Sequence, residues 1–595
     1  MNREKLLSFI FSSLLLIIIN SFFIYCCYFL LNQYDNECIN KEFLTWDPEL
    51  RYIITLKLMN FAKEGKVFHI LGVFFDSPHW PSLRNLIEMI VFFITKPSPF
   101  IDTMLSTIFY PLTLIGVGYI LYDLKTSILF ASLTITGFIL AFLQADSILL
   151  YSFTGMLEVQ GGFIFLLTVY FLGRFYVDSF HDKEHHWIRK VFIICILLHQ
   201  TKYPYGYMLV LSIIVFHGLF FFKESFAYVK DYFNQRVRTI YSNPFLILAI
   251  VCLIGAFLPA SILKGKIPGY FRFAVVLFLT LDLIYHFYKI ERNSSNFRII
   301  FILKTIIFPI LIWMLLQPDR FGSYAGQITH VESQGGNPGE AVEKNLDYFL
   351  LFISEFITTG FREFHLGYLF FVSALVIFCS GLWKFIKEKS FTQSFLWSSL
   401  CLLTILELSL FTTNRLSRHI FHLFPALILL PFLFIWESKQ NLILKNSLAI
   451  FLILAISFPF LLSPLKSLSE TEVCYTGYNT NDYKTPKWME SKANILMNTN
   501  AYVYNEMSPL HVNKADVEYL FQREAFKKNL KLIFDPKRLK VSDQKFKEIW
   551  IVGEKCANST RLNEASQFWK TEGFSLENPK LVESDIGCIQ IYSKE

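Results

Sequence analysis

MNREKLLSFIFSSLLLIIINSFFIYCCYFLL, residues 1–31, decides the fold class. After the charged opening Met1–Lys5 it runs apolar from Leu6 to about Leu31. A helix rises about 1.5 Å per residue, so roughly 20 such residues cross the hydrocarbon core of a bilayer. The run is too long for a signal-peptide core and lacks a small-residue cleavage site, so it reads as an uncleaved first span. Long apolar runs then recur over most of the 595 residues, and the chain is 53% hydrophobic with 65 Phe and 29 Tyr. Soluble domains are not composed this way. The class is a polytopic α-helical membrane protein.

Basic residues set the orientation. Arg3 and Lys5 stay in the cytoplasm, so the first span delivers Asn32 to the outer side. Further spans are expected near 101–122, 128–144, 153–175, 244–261, 273–287, 299–316, 365–384, 395–412, 420–436 and 447–463. The apolar stretch 191–222 is interrupted by His199-Gln200-Thr201-Lys202-Tyr203-Pro204 and has basic flanks on both sides. It therefore reads as a hairpin of two short spans with Lys202 at the outer tip. Short basic loops at 223–238, 289–298, 384–389 and 439–445 all fall on the side of the N-terminus. The sum is about 13 spans, N-terminus cytoplasmic and C-terminus outside, in a cell (inner or plasma) membrane.

Residues 1–465 thus form the transmembrane part, with long outer loops at 32–99 and 317–361. The first loop holds helical apolar spacing over 49–61 and 82–94, expected as amphipathic helices on the membrane surface. The second opens on a polar, glycine-rich stretch and leads into a possible surface helix over 346–361. Residues 466–595 lose hydrophobicity and show β-like runs at 501–504, 530–534, 549–552 and 588–592, with helical pattern over 561–570. A small extracytoplasmic mixed α/β domain is expected there. It has no nucleotide-binding glycine loop, zinc spacing or nucleophile motif.

The first loop also carries Thr45-Trp46-Asp47-Pro48-Glu49-Leu50-Arg51-Tyr52, which puts two carboxylates, an arginine and two aromatics just beyond the first span. On local spacing alone, a solvated loop before a surface helix is the better reading. Its context matters more. Asp76, Asp146, Glu158, Lys202, Arg320 and the run Arg415–His419 fall on the same outer side, whereas the cytoplasmic loops are short and merely basic. Polar groups at the membrane edge suit a substrate whose tail stays in lipid. An anionic headgroup there needs cations such as Lys202, Arg415 and Arg418, and a reacting hydroxyl needs a carboxylate base such as Asp47 or Glu49.

The layout resembles the GT-C superfamily of polyprenyl-phosphate-sugar glycosyltransferases, which includes protein O-mannosyltransferases and the lipid A aminoarabinose transferase. Their first outer loop carries an acidic motif followed closely by Arg-Tyr. Trp46-Asp47-Pro48-Glu49-Leu50-Arg51-Tyr52 is similar, with Pro48 separating the two acids. Gly155-Met156-Leu157-Glu158 resembles the acid at the start of a later span, and Thr201-Lys202-Tyr203-Pro204-Tyr205-Gly206 an outer-edge Lys-Tyr element. Asn414-Arg415-Leu416-Ser417-Arg418-His419 resembles the arginine motif before a late span. The resemblance implies transfer of a sugar, with inversion, from a polyprenyl-phosphate donor to a lipid, glycan or protein acceptor. It implies Asp47 and Glu49 as catalytic candidates, and Arg51, Tyr52, Glu158, Lys202, Tyr203, Arg415, Arg418 and His419 as substrate-binding candidates.

Two other classes fit the span count. A transporter or flippase calls for midspan charges, broken helices or an internal repeat. A lipid-linked glycan polymerase or ligase shares outer loops and arginines but fits a first-loop acid and an outer α/β tail less well. No cofactor is implied, and a requirement for a divalent cation stays open. Nucleic acid is not an expected partner. Of the ten cysteines, Cys38, Cys474, Cys556 and Cys588 fall outside the predicted spans, where an oxidising compartment would allow pairing.

Overall fold

A computed structural model of the chain describes residues 3–38, 47–76, 83–179, 186–222, 244–256, 346–388, 391–411, 417–462, 484–505, 514–534, 546–553, 569–585 and 587–594, with a few isolated positions besides. The first span is one helix, α1 (Arg3–Glu37). The first loop then folds into α2 (Asp47–Lys63), α3 (Val67–Asp76) and α4 (Leu83–Thr95). Next come α5 (Pro99–Thr107), α6 (Phe109–Asp123), α7 (Ile128–Leu143), α8 (Asp146–Ser152) and α9 (Glu158–Ser179). Local sequence sets these starts: Ser98 caps α5 by accepting from the Ile101 N–H at 3.1 Å, with Pro99 in the first turn. Ser127 caps α7 in the same way through Phe130.

The expected hairpin is present. α10 (His186–Thr201) and α11 (Tyr203–Phe220) meet at Lys202, whose extended backbone breaks the helix. Beyond it lie α12 (Pro244–Ala256), α13 (Leu346–Thr358), α14 (Phe364–Glu388) and α15 (Gln393–Phe411). A 3-10 helix, Ser417–Leu423, then leads into α16 (Phe424–Glu437), and α17 (Leu442–Leu462) follows. Expected spans 273–287 and 299–316 fall almost wholly outside the described residues, as does the glycine-rich stretch 317–345.

Among the described residues six helices are long and apolar enough to cross a membrane: Leu6–Asn36, Pro99–Asp123, Glu158–Val177, Phe364–Glu388, Gln393–Leu410 and His419–Glu437. Shorter apolar helices accompany them, among them Ile128–Leu143 and Pro204–Phe220. The protein is a multi-pass membrane protein. α9, α15 and α16 are mostly buried, whereas α1 and α14 leave most of their apolar surface uncovered, as lipid-facing helices do. Close approach inside the bundle depends on small residues: a Cβ at Gly161 of α9 would lie 2.3 Å from the Tyr205 ring.

After the bundle the chain forms α18 (Lys484–Leu496), β1 (Ala501–Asn505), α19 (Lys514–Lys527), β2 (Leu532–Phe534), β3 (Glu548–Gly553), β4 (Lys580–Ser584) and β5 (Gly587–Ser593). The strands make one sheet in the order β2-β1-β3-β5-β4. β1 runs parallel to β2 and β3, and β5 runs antiparallel to β3 and β4. The two-residue alternation of strands splits its side chains between faces. Val503, Trp550, Val552 and Ile589 pack under α18 and α19, while Tyr502, Tyr504, Ile549 and Ile551 meet Trp569 and Phe574 on the other side. Four of these strands coincide with the runs read from sequence; β4 was not anticipated. Cys38 and Cys588 are each disulfide-bonded.

Candidate functional site

The acidic segment opens a helix. Asp47 and Glu49 lie in the first turn of α2, with their side chains outside the described residues. Pro48 is buried and packs toward Gly155: a Cβ at Gly155 would stand 3.4 Å from the Pro48 Cβ and 3.1 Å from an Asp102 carboxylate oxygen. Gly155 has φ +71, a conformation that suits glycine and leaves its carbonyl pointing at α2.

Arg51 accepts none of the solvent exposure that a binding loop suggests. It is 3% exposed and donates through Nε to Glu88 Oε1 at 2.7 Å and through Nη2 to both Asp102 oxygens at 3.1 and 3.3 Å. The same Nη2 reaches the Gly155 carbonyl at 2.6 Å. Arg84, fully buried, meets the same two acids, with Nε to Glu88 Oε1 at 2.8 Å and Nη2 to Asp102 Oδ1 at 2.9 Å. Thr55 donates to Glu88 Oε2 at 2.7 Å, and Asn85 donates to the Arg51 carbonyl at 2.8 Å. Two guanidiniums and two carboxylates therefore cancel inside the protein, the condition under which buried charge is tolerable. Burial pushes the Glu88 carboxyl upward, but the Arg51 and Arg84 guanidiniums overcome it and hold it below its ordinary range.

This lattice ties α2, α4 and α5 to the segment before α9. Ser106 of α5 adds a hydrogen bond to the Met156 carbonyl at 3.0 Å. Glu158 then opens α9, where the helix dipole favours an acid. Its Oε1 accepts from Lys202 Nζ at 2.7 Å, with both residues buried. Lys202 also lies 5.4 Å from the centre of the Tyr205 ring. His422 of the 3-10 helix stacks on the same Tyr205 ring at 3.9 Å between centres. The element carrying the arginine motif is thereby joined to the Lys202 hairpin.

Of the expected site residues, the structure thus brings Arg51 together with the Gly155–Glu158 turn, and Glu158 with Lys202. Tyr52 is fully buried against Phe92 at 5.3 Å between ring centres, and burial pushes its phenol well up. Tyr203 begins α11 and Arg418 lies in the 3-10 helix, with neither side chain among the described residues. Arg415 lies outside the described residues altogether. His419, half-buried, precedes Ile420 in the 3-10 helix. Sequence reading missed Arg84, Glu88, Asp102, Tyr205 and His422. The signal available was a pair of ionisable residues four apart, Arg84 and Glu88, in an otherwise apolar stretch. No group of metal-holding side chains occurs among the described residues.

The expected surface helices occur, yet α2 does not simply lay its apolar side on a membrane. Tyr52, Ile53, Leu56 and Met59 are buried in a cluster with Phe92 of α4 and with Leu520 and Phe526 of α19.

No protein-family model matches the chain, and no curated protein matches it. Among solved structures, ArnT from Cupriavidus metallidurans bound to undecaprenyl phosphate is similar over 97% of both chains, at 10% identity and a TM-score of 0.46. The apo state of the same protein is similar over 96% of this chain and 98% of its own, at 9% identity and a TM-score of 0.42. Neither likeness bears on activity, which rests on the chemistry of the site itself.

Proposed function

We propose that the protein is a membrane glycosyltransferase that moves a sugar from a polyprenyl-phosphate donor to an acceptor hydroxyl at the outer membrane edge. The carrying observation is the Arg51 bridge. It fixes the acid-bearing first turn of α2 to Gly155, three residues before the buried Glu158–Lys202 pair. Acids and cations so placed, at one end of a helix bundle, suit a reaction between a lipid-anchored phosphate and a polar acceptor. The disulfide-bonded state of Cys38 and Cys588 supports an oxidising, extracytoplasmic location for that end.

In this reading Asp47 takes the acceptor proton while the acceptor oxygen attacks the anomeric carbon. The bond from that carbon to the phosphate oxygen breaks on the opposite side, and polyprenyl phosphate leaves with the bonding pair. The sugar is inverted. Lys202, Arg415, Arg418 and His419 are assigned to bind the phosphate, with Tyr203 as a further substrate contact, and Glu158 holds Lys202 in place. Glu49 is the second acid of the motif and positions the acceptor or a cation. Arg51 and Tyr52, being buried, serve by holding the segment.

Transfer from a labelled polyprenyl-phosphate sugar by purified protein in nanodiscs tests the reading. Asp47→Asn should lower turnover by about 10²–10⁴-fold, the usual contribution of a general base, with donor binding retained. Near-normal transfer by that variant beside an inactive Glu49→Gln protein would move the base to Glu49.

A further inference from the structure

α19 has two buried faces. Phe521 and Ala525, four residues apart, pack into the sheet core with Val503 and Trp550. Leu520 and Phe526 point the other way, into the cluster formed by Tyr52, Ile53, Leu56 and Met59 of α2 and Phe92 of α4. A helical period of 3.6 residues places these two pairs on opposite sides of α19. Polar contacts rim the apolar contact. Lys57 of α2 pairs with Glu518 at 3.3 Å, Lys63 donates to Asn529 at 3.2 Å, and the Lys63 ammonium sits 3.9 Å from the centre of the Phe526 ring. Arg523, buried in α19, pairs with Glu490 of α18 and so ties the two helices of the sheet layer together.

The α2 residues involved alternate with those of the charged lattice. Arg51 and Thr55 face Glu88, while the next residue along from each, Tyr52 and Leu56, faces α19. One side of α2 is thus bonded to the bundle through charge and the adjoining side is held to the sheet through apolar packing. We infer that α19 is a positioning element for the acidic segment, with Leu520 and Phe526 as positioning residues that fix the direction of α2 and so the place of Asp47 and Glu49 in its first turn. The sheet acts on the site through α2. The statement about position stands on packing; only the consequence for turnover rests on the proposed transfer reaction.

The experiment uses the full chain in nanodiscs, compared with Leu520→Ala/Phe526→Ala. Backbone hydrogen exchange of residues 51–58, the first amides of α2 with intrahelical acceptors, should rise about tenfold or more in the variant, while residues 158–220 exchange as before. Phe526→Leu, which keeps an apolar side chain of similar bulk, should retain the slow exchange. A short bis-maleimide bridge between cysteines placed at Lys57 and Glu518 should restore slow exchange to the double-alanine protein. In the transfer assay the double variant should lose turnover at unchanged donor KM, with the bridge restoring it. Unchanged exchange over 51–58, or an equal rise across 158–220, overturns the inference. So does a bridge that restores neither exchange nor turnover. If the wild type transfers no sugar from any polyprenyl phosphate, the proposed reaction falls, while the exchange data still decide whether α19 positions α2.

Discussion

Arg51→Met tests the charge balance of the buried lattice. Arg51 and Arg84 supply two positive charges and Glu88 and Asp102 two negative ones, all nearly or completely hidden from solvent. Methionine fills similar volume but removes one charge and the four donated bonds described above, leaving a net negative charge inside the protein and the Gly155 carbonyl without its guanidinium. Breaking one partner out of a buried ion pair typically costs about 3–5 kcal/mol. Arg84 still contacts both acids, so the lower end, about 3 kcal/mol, is expected. Arg51→Met/Glu88→Gln restores neutrality, because Arg84 and Asp102 remain as a pair, and should be less destabilised than the single variant. Denaturant unfolding in mixed micelles, followed by tryptophan fluorescence, ranks the three proteins. A single variant within about 1 kcal/mol of wild type, or a double variant worse than the single, would refute this account of the lattice.

Other outcomes follow from the same geometry. Gly155→Ala forces a side chain into a left-handed position 3.1 Å from Asp102, and should cost about 1–3 kcal/mol in the same unfolding assay. The Glu88 carboxyl is held below its ordinary 4.5, so its contribution to stability is complete above about pH 4.5 and is lost as pH falls below that value. Glu88→Gln should flatten that part of the acid-unfolding profile; an unchanged profile would show that another group sets it. An impermeant thiol reagent should reach cysteines placed at Ser390 and Ser491 from opposite sides of the membrane, and labelling of both from one side would reverse the assigned topology.

Much of the bundle could be read from the chain because lipid demands long uninterrupted apolar runs, and the polar interruption ending at Lys202 announced the hairpin. Strands β1, β3 and β5 were visible for a related reason, as short β-branched and aromatic runs between polar stretches. The lattice was not visible. Arg51 meets partners 37 and 51 residues away, and the one local sign, Arg84 and Glu88 four residues apart, points to neither Arg51 nor Asp102. Tyr52 shows the same limit: beside Arg51 it looks like part of a binding motif, yet its ring is packed under α19. Strand β4 escaped notice because Lys580, Leu581 and Glu583 leave it largely exposed, with no buried run to mark it.

The contact between α2 and α19 joins residues 461 positions apart at Lys57 and Glu518. During synthesis α2 therefore emerges, and its neighbours enter the membrane, long before its cover exists. Until α19 arrives, the apolar cluster around Tyr52 and Leu56 has only its α4 side covered, and exposed apolar surface of this kind draws chaperones and proteases. A ribosome that stalls between the bundle and the sheet leaves a protein with its charged lattice formed and its acidic segment uncovered. Disposal of that intermediate, more than loss of any single side chain, would then set how much finished protein a cell retains.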